Sequence, residues 1–490
     1  MEKGLALLLS IFISIAIYPD STKAKLNSNK LDWSQYRFNS INNPVLDLDS
    51  FNLNTTNITT DDEIRSTPVV SDGKMFIGNH DSGNLYAYDI ITGEKIWQKQ
   101  APNWVHSEMI YVDGQIFVGY GNRYFQDNGI RGTEKSGLLK LDSGSGDVIW
   151  NFETDGEVMP TPAFYDGVVY VTTGDRHLYG VNPDTGKEEW KYNLGSVISM
   201  SAPNIKDGIL YVGGSSPYKF FAVDLNEKEL KWEQSFEQVT SGLDDVPPVV
   251  SDKGVVYTTA VQDTKNVLSL KEVYNRDGTV ATYKQAIKIT LGNFINKQPE
   301  MKYDHKIYAM DIRSGQIEWR DSLGEGAMVP NNKSGTPMLY DDKIFVGSPI
   351  TKSFYAYDAE NGEKLWKYKS HVNKAPPVAD DNKVYFTDTK GLVYGFDVES
   401  GELLGKKMLG GTLAPSGPIL VNDSLIVGSQ DKNVYSLPTE DILQANDSVE
   451  KNTDLFSYIS LVFVLPIIGL LAGVAVIIII IRFGVRKLKK

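Results

Sequence analysis

The stretch Phe354-Tyr-Ala-Tyr-Asp-Ala-Glu-Asn-Gly-Glu-Lys-Leu-Trp366 decides the fold of this chain. Its aromatic first half is typical of a β-strand. Asp358 then opens a turn, because an Asp carboxylate accepts hydrogen bonds from the backbone N–H groups that follow it. Gly362 fits a turn position that requires positive φ, and a second strand begins just before Trp366. The stretch therefore predicts a hairpin of two strands.

This hairpin is one copy of a repeat that runs through the chain. An Asp or Asn ends one strand, a glycine usually follows four positions later, and a Trp follows eight positions later. A second hairpin signal, such as Thr67-Pro-Val-Val-Ser-Asp-Gly73, lies upstream of each copy and predicts four strands, A to D, in each unit. Eight units predict an all-β fold, an eight-bladed β-propeller. The units start near residues 66, 107, 161, 201, 246, 335, 375 and 415.

Composition excludes several classes of function. The net charge of −13 argues against a nucleic-acid partner, because phosphate binding needs a basic face. The sequence has no cysteine, which excludes disulfides, thiolate metal sites and covalently attached c-type haem. The five histidines show no metal-ligand spacing between any pair. We therefore predict no metal site from these residues.

The sequences at both ends of the chain predict segments that interact with a membrane. Residues 1–24 place Lys3 before an apolar run and predict a signal peptide, with an uncleaved anchor as the alternative. Residues 455–481 are uncharged and mostly apolar, and basic residues fill 482–490. This pattern predicts a single transmembrane helix after a linker at 439–454, with a cytoplasmic C-terminus. The propeller would then lie outside the cytoplasm, at the cell surface or in the periplasm.

The sequence also predicts how the ring is closed. The last unit has Pro438 where the turn Asp would stand, and it lacks an outer strand of its own. The N-terminal segment 25–60 contains a Trp-bearing stretch, residues 31–38, which we predict to supply that strand to the blade at 415–437. Closure of this kind removes an unpaired sheet edge. The propeller itself is then predicted to span residues 61–438.

The pattern Ala-x-Asp-x-x-Thr/Ser-Gly-x-x-x-Trp resembles the repeat of pyrroloquinoline-quinone (PQQ) type propellers, a family that includes quinoprotein alcohol dehydrogenases and BamB scaffolds. The resemblance covers residues 31–438 and implies the fold, but the family contains enzymes and non-enzymes alike. Two departures are Gly405 in place of a Trp and Asn226-Glu-Lys228 in place of a turn glycine. In this family the repeat tryptophans dock neighbouring blades. The resemblance implies that role for Trp33, Trp97, Trp150, Trp190, Trp232, Trp319 and Trp366.

Loop lengths mark one face of the propeller as the candidate binding face. The A–B and C–D turns are short, whereas the B–C loops carry excursions at residues 120–136 and 262–305, the latter a basic hairpin arm. B–C and D–A loops lie on the same face of an up-and-down propeller, so we predict that a protein or glycan partner binds there. The candidate residues on this face are Trp104, His106, Glu108, Glu157, Asp244 and Asp245.

The alternative function is a PQQ- and calcium-dependent dehydrogenase. The resemblance implies a cofactor at the propeller axis, held by Glu and Asn ligands beside an Asp base. The carboxylates of the candidate face, with Glu63, could supply oxygens to calcium. None of them matches the family's ligand motifs, so we predict a non-catalytic scaffold without a cofactor. Sequons permit N-glycosylation at Asn54, Asn57, Asn332, Asn422 and Asn446.

Overall fold

The computed structural model describes residues 31–48, 56–236, 238–268, 301–331, 333–449 and 464–488. The predicted signal peptide and most of the predicted basic arm lie outside these ranges. The described residues form eight antiparallel sheets around one axis, as the sequence predicted for an eight-bladed propeller. Six of the sheets have four antiparallel strands, from the inner strand A to the outer strand D, and the other two sheets have five strands.

The first half of the ring consists of four regular blades. Two short strands precede them, β1 (Val45–Leu46) and β2 (Thr56–Thr59). Blade 1 comprises β3 (Val69–Ser71), β4 (Lys74–Gly78), β5 (Asn84–Asp89) and β6 (Lys95–Gln100), and blade 2 comprises β7 (Ile110–Val112), β8 (Gln115–Tyr120), β9 (Ser136–Asp142) and β10 (Val148–Thr154). Blade 3 comprises β11 (Ala163–Tyr165), β12 (Val168–Thr172), β13 (His177–Val181) and β14 (Glu188–Asn193), and blade 4 comprises β15 (Asn204–Lys206), β16 (Ile209–Gly214), β17 (Lys219–Asp224) and β18 (Glu229–Ser235).

The second half contains one enlarged blade. Blade 5 comprises β19 (Val239–Ser241), β20 (Val249–Val250) and three long strands, β21 (Val255–Val267), β22 (Met301–Asp311) and β23 (Ile317–Ala327). Blade 6 comprises β24 (Met338–Tyr340), β25 (Lys343–Ser348), β26 (Ser353–Asp358) and β27 (Lys364–Lys369), and blade 7 comprises β28 (Val378–Asp380), β29 (Lys383–Thr387), β30 (Leu392–Asp397) and β31 (Leu403–Met408). Blade 8 comprises β32 (Ile419–Val421), β33 (Ser424–Gly428) and β34 (Asn433–Pro438), and helices α1 (Thr439–Leu443) and α2 (Leu465–Leu488) follow.

Seven C–D hairpins are held by the Asp or Asn that ends strand C, as the repeat predicted. In blade 6 the Asp358 carboxylate accepts hydrogen bonds from the backbone N–H groups of Glu360 and Asn361, both at 2.9 Å. Gly362 completes the turn at φ 73°. Hydrogen bonds to the charged form lower the pKa of the equivalent carboxyl in other blades, such as Asp397. The turn chemistry therefore sets strand D at a fixed register against strand C.

Five of the six repeat tryptophans in the blades donate an indole hydrogen bond to the next C–D turn, and no such bond of Trp190 is present among the described residues. Trp366 Nε1 donates to Val398 O of the following blade at 3.1 Å, and its ring lies against Gly401. A Cβ built on Gly401 would approach the Trp366 ring to 2.5 Å. The turn glycine is therefore needed both for its positive φ and for close approach to the indole. The same donation joins Trp97 to Ser143 O, Trp150 to Pro183 O, Trp232 to Ile312 O and Trp319 to Ala359 O.

The ring is closed by an N-terminal strand, but not by the predicted one. Strand β2 pairs antiparallel with β34 along Thr56 to Thr59 and supplies the missing outer strand of blade 8. Residues 31–38 lie elsewhere, so their prediction as the closing strand is wrong. Trp33 is fully buried and packs against Phe38, and it does not occupy a repeat position. The outer edge of β2 faces solvent and its sequence is polar, so its composition did not indicate a strand.

Residues 31–46, here called the N-terminal strap, run around the inside of the ring. In blades 2 to 8 the second residue of each inner strand donates its backbone N–H to the strap, and the acceptors follow in chain order. The inner edge of a propeller strand has no further strand to pair with, so the strap satisfies these donors. The bonds join Tyr111 to Trp33, Phe164 to Ser34, Ile205 to Gln35, Val250 to Ser40, Leu339 to Ile41, Ala379 to Asn43 and Leu420 to Pro44.

Arg37 is the centre of the strap. Its side chain is fully buried and donates to Asn42 O at 3.0 Å, Pro418 O at 2.8 Å and Pro377 O at 2.7 Å. These partners belong to the strap itself and to the entries into blades 8 and 7. Burial lowers the pKa of Arg37 to about 10. The strap thus ties together blades that lie far apart in sequence and obstructs the channel.

The C-terminal region departs from the sequence-based expectations in two ways. Within the predicted linker, α1 packs against blade 7, where a Cβ on Gly405 would lie 2.3 Å from Ile442 O. Helix α1 therefore occupies the space of the missing repeat Trp. The uncharged part of α2, from Leu465 to Ile481, is shorter than the ~20 residues that cross a hydrocarbon core. In the described residues no helix combines the length and apolarity of a membrane span, which overturns the predicted transmembrane helix.

Candidate functional site

An open cavity of about 600 Å³ lies at the propeller axis, on the face that carries the B–C and D–A loops. Every D–A segment contributes to its wall, and the B–C loops of blades 2, 7 and 8 complete it. The lining residues are Arg65, His106, Arg123, Phe125, Arg131, Met159, Ser199, Met200, Asp244, Asp245, Val329, Pro330, Asn331, Lys333, Val372, Lys374, Thr389, Thr412, Pro415 and Gln430.

The wall follows the repeat. In seven of the eight blades the residue four positions before the inner strand lines the cavity. These residues are Arg65, His106, Met159, Met200, Asp245, Lys374 and Pro415. Residues two positions before the inner strand, such as Glu108, Thr161 and Thr336, line a smaller space of about 40 Å³. Successive positions ahead of strand A therefore form successive rings that descend the axis.

The cavity wall is rich in cations although the whole chain is acidic. Five Lys or Arg side chains line it, against the two carboxylates Asp244 and Asp245. Three of the cations are paired: Arg65 with Glu63 at 3.0 Å, Lys374 with Asp245 at 2.6 Å, and Arg131 with Glu157. The other two, Arg123 and Lys333, form no ion pair with a carboxylate of the described residues. The wall therefore carries a surplus of positive charge.

Arg123 connects opposite sides of the ring. It lies on the B–C loop of blade 2, and its Nη1 donates to Asn331 Oδ1, at the entry to blade 6, at 3.2 Å. Lys333 lies two residues beyond Asn331 on the same segment and also lines the cavity. The bond therefore brings the two cations without carboxylate partners to the mouth of the cavity.

Buried carboxyl groups surround the cations. Burial raises the pKa of Glu157 to about 8, even though the Arg131 guanidinium opposes that shift. Burial also raises the pKa of Asp244 above its ordinary value and the pKa of Glu108 to about 7. Glu157 Oε2 and Asp244 Oδ1 are buried without a hydrogen-bond partner. These acids do not cancel the positive charge of the wall as exposed carboxylates would.

The floor of the cavity is made by the strap. Tyr36 lines the small space beneath the main cavity, together with Glu108. The Glu108 carboxylate accepts a hydrogen bond from the Arg37 backbone N–H at 3.1 Å. Burial raises the pKa of Tyr36 well above its ordinary value, and the Glu108 carboxylate adds to this shift. The strap therefore closes the lower end of the cavity, and the mouth on the loop face is open.

Aromatic side chains stand at the rim beside the cations. His80 packs against His106 with ring centroids 3.8 Å apart, and Trp104 contacts Tyr124 edge-on at 5.5 Å. Both ring nitrogens of His106 are buried without a hydrogen-bond partner, and burial holds its pKa well below the ordinary value. At the solvent side of this cluster, Tyr124 is 54% exposed and the neighbouring Phe125 is 61% exposed.

The structure gathers the residues that the sequence nominated. His106, Asp244 and Asp245 line the cavity, Glu108 lines the space beneath it, Glu157 binds Arg131, and Trp104 supports the rim. Sequence reasoning missed all five cations. Two of them share a positional signal: Arg65 and Lys374 stand four residues before an inner strand, as the nominated His106 and Asp245 do.

The sequons have different surroundings. Asn57 lies on β2 and is exposed, and Asn446 is also exposed. The Asn422 amide is engaged by the backbone of Leu48, as donor at 3.2 Å and acceptor at 2.8 Å. A glycan on Asn422 would therefore displace a contact that fixes the end of the N-terminal segment. Asn54 and Asn332 lie outside the described residues.

The cavity does not provide the calcium site that a quinoprotein dehydrogenase would need. Calcium takes six to eight oxygen ligands, with carboxylates prominent among them. Among the described residues no three His, Asp or Glu side chains are grouped to hold a metal ion. Glu157 and Asp245 are already bound to Arg131 and Lys374.

The fold and the cavity define a class: an eight-bladed propeller whose channel is closed at one end by its own N-terminus and lined with cations at the other. A family model described as outer membrane protein assembly factor BamB matches residues 30–132, 124–286 and 302–442. The chain therefore belongs to this family of PQQ-type propellers.

Individual relatives are distant. BamB of Yersinia pestis is 24% identical over 373 residues, which cover 72% of this chain and 79% of that protein. Tetrathionate hydrolase of Acidithiobacillus ferrooxidans is 23% identical over 397 residues, which cover 76% and 72%. The structure of BamB from Moraxella catarrhalis has a TM-score of 0.56 at 17% identity and covers 79% of this chain and 100% of that one. A europium-containing methanol dehydrogenase has a TM-score of 0.54 at 12% identity, covering 83% and 89%. The two structural likenesses show the fold alone.

Proposed function

We propose that this chain is a binding scaffold for a protein partner outside the cytoplasm and that it catalyses no reaction of its own. The observation that carries the proposal is the axial cavity, which opens on the face of the variable loops and has charged walls and an aromatic rim. Family members named as assembly factors for outer membrane proteins support a partner of this class.

The rim has the composition of a protein-binding surface. Partner anchors are enriched in aromatic side chains and arginine. Tyr124 and Phe125 are adjacent, exposed and next to Arg123, so they form a patch at the mouth of the cavity. Other exposed apolar side chains of the blades, such as Ile91 and Leu404, belong to the C–D hairpins away from this mouth. The binding surface is therefore assigned to the cavity mouth.

Site-specific photocross-linking tests the scaffold function. A benzoylphenylalanine at Phe125 is expected to form a cross-link to one defined partner in cells, because this side chain stands at the proposed interface. The matched control is the same substitution at Ile91, which is similarly exposed but lies on the opposite face. Cross-links of equal yield at both positions, or none at Phe125, would contradict the proposal.

The location outside the cytoplasm also has a direct test. Its support is the name of the family, because outer membrane assembly takes place beyond the cytoplasm. Alkaline phosphatase fused after residue 449 is expected to be active in cells, since that enzyme folds only where its disulfides form. An inactive fusion that accumulates to normal levels would place the propeller in the cytoplasm.

A glycan is the alternative partner at the same rim. The exposed rings of Tyr124 and Phe125 could stack on sugar faces as well as on protein side chains. A glycan array separates the two partners. Strong array binding that is lost in the Tyr124→Ser and Phe125→Ser double variant would replace the protein partner with a glycan.

Hydrolysis of a sulfur oxyanion is a second candidate function. The relative named tetrathionate hydrolase and the cationic wall, which suits a dianion, both favour it. Loss of tetrathionate in the presence of the purified chain, measured by ion chromatography, tests this candidate. Turnover that disappears in Arg131→Gln would establish an enzyme and overturn the non-catalytic scaffold.

A further inference from the structure

We propose that the axial cavity binds the carboxylate side chains of an acidic peptide segment. This inference rests on the proposed function, since it names the chemistry of the partner at the same cavity. The segment would place its carboxylates beside Arg123 and Lys333 and its backbone across the rim at Phe125.

The first step of the argument is charge. Five cations line the cavity, and two of them lack a carboxylate partner among the described residues. Asp245 is neutralised by Lys374 at 2.6 Å, and Asp244 is buried with Oδ1 unbonded. An anion that enters the cavity therefore meets a net positive wall. On a chain with a net charge of −13 this is a local reversal of sign that selects an acidic ligand.

The second step is geometry. The bond from Arg123 to Asn331 fixes a cation from blade 2 against the entry to blade 6, beside Lys333. An arginine fork can hold one carboxylate through two parallel hydrogen bonds, while a lysine acts as a point charge. The cavity therefore offers two cations at its mouth, Arg123 and Lys333, enough for more than one carboxylate.

The third step is size. A volume of about 600 Å³ lies within the range of ~300–1,000 Å³ that is usual for bound organic ligands. A small anion inside the cavity would leave the rings of Tyr124 and Phe125 in solvent. A peptide reaches both, because its acidic side chains enter the cavity while its chain lies across the rim. The exposed aromatic rim therefore favours a peptide over a free polycarboxylate.

Fluorescence anisotropy with a fluorescein-labelled pentaglutamate peptide tests the assignment. We expect saturable binding that weakens with salt, and no binding of a pentaglutamine peptide. The Arg123→Gln and Lys333→Gln double variant is expected to weaken binding about tenfold. The matched control is the Lys95→Gln and Lys191→Gln double variant, which removes the same charge from exposed outer strands. This control is expected to change the affinity less than about twofold.

The remaining outcomes also decide the question. If both double variants weakened pentaglutamate binding equally, the attraction would be non-specific, and the assignment of the cavity as the acidic-peptide site would be wrong. Binding of tricarballylate, measured by isothermal titration calorimetry, in the absence of pentaglutamate binding would make the site one for small anions. A Lys333→Arg variant keeps the charge and should retain binding, which guards against loss through misfolding. A cross-link at Phe125 without pentaglutamate binding would leave the scaffold standing and sink only the acidic-peptide assignment.

Discussion

Contacts between a repeat tryptophan and the next turn join the blades at the scale of single residues. The indole N–H of Trp366 donates a hydrogen bond to the Val398 carbonyl, and the indole ring packs against Gly401, which has no side chain. Trp190 differs, since the following turn has Asn226-Glu-Lys228 instead of a glycine and positive φ falls on Lys228 at 58°. No indole bond of Trp190 to that turn is present among the described residues.

Trp366→Ala should therefore destabilise the propeller more than Trp190→Ala. Large aromatic-to-Ala changes in cores cost about 3–5 kcal/mol, and the partial burial of Trp366 places it near the lower limit. Urea denaturation followed by far-UV circular dichroism gives both free energies of unfolding. Equal losses for the two variants would mean that the glycine contact contributes nothing specific.

Glu157→Gln should change the pH dependence of stability. Burial raises the pKa of Glu157 in the folded state to about 8 from its ordinary value of 4.5. Between these values the folded chain binds more protons than the unfolded chain, so its free energy of unfolding falls as pH rises. The variant lacks this contribution.

The melting temperature of Glu157→Gln relative to the original chain should accordingly rise from pH 5 to pH 8. Differential scanning calorimetry at several pH values measures the difference. A difference that stays constant across this interval would show that the pKa of Glu157 is not raised by folding.

Residue patterns in the sequence predicted the turns and the docking tryptophans but not the cationic wall. The turn Asp, the turn glycine and the Trp have fixed spacing, and each has one physical role. Arg65 and Lys374 belong to no motif. They line the cavity because each lies four residues before an inner strand, and the inner strands are only two or three residues long. That start becomes clear only when the strand pairing is known.

At the scale of elements, the N-terminal strap distinguishes this propeller from a simple ring of blades. It satisfies one backbone donor on the inner strand of each of blades 2 to 8 and carries a buried arginine across the axis. Sequence reasoning correctly assigned closure to the N-terminus but chose residues 31–38, because a Trp beside Tyr and Phe resembles a strand. Inside the channel, those side chains pack around the axis instead.

Deletion of residues 31–46 should lower the melting temperature sharply while leaving the closing strand β2 in place. Each unpaired buried N–H group costs about 1–3 kcal/mol, and seven such groups lose their partners. The matched control removes residues 1–30 and keeps the strap. If the two deletion variants had the same melting temperature, the strap would not contribute to the stability of the ring.

At the scale of the whole molecule, the two ends of the channel differ. The strap obstructs the channel below Tyr36 and Glu108, and the D–A and B–C loops leave the other end open. A ligand can therefore reach the axis from one face alone. That face carries the cationic wall and the aromatic rim, so both shape and charge support the proposed binding face.

Hydrogen–deuterium exchange with and without the cross-linked partner tests this central claim most directly. Protection on binding is expected in peptides that cover residues 103–109, 121–135, 241–246 and 329–333, because each peptide contains residues that line the cavity. The A–B turns on the opposite face should exchange at the same rate in both states. Protection confined to those turns or to the outer strands, with the mouth unchanged, would contradict the account.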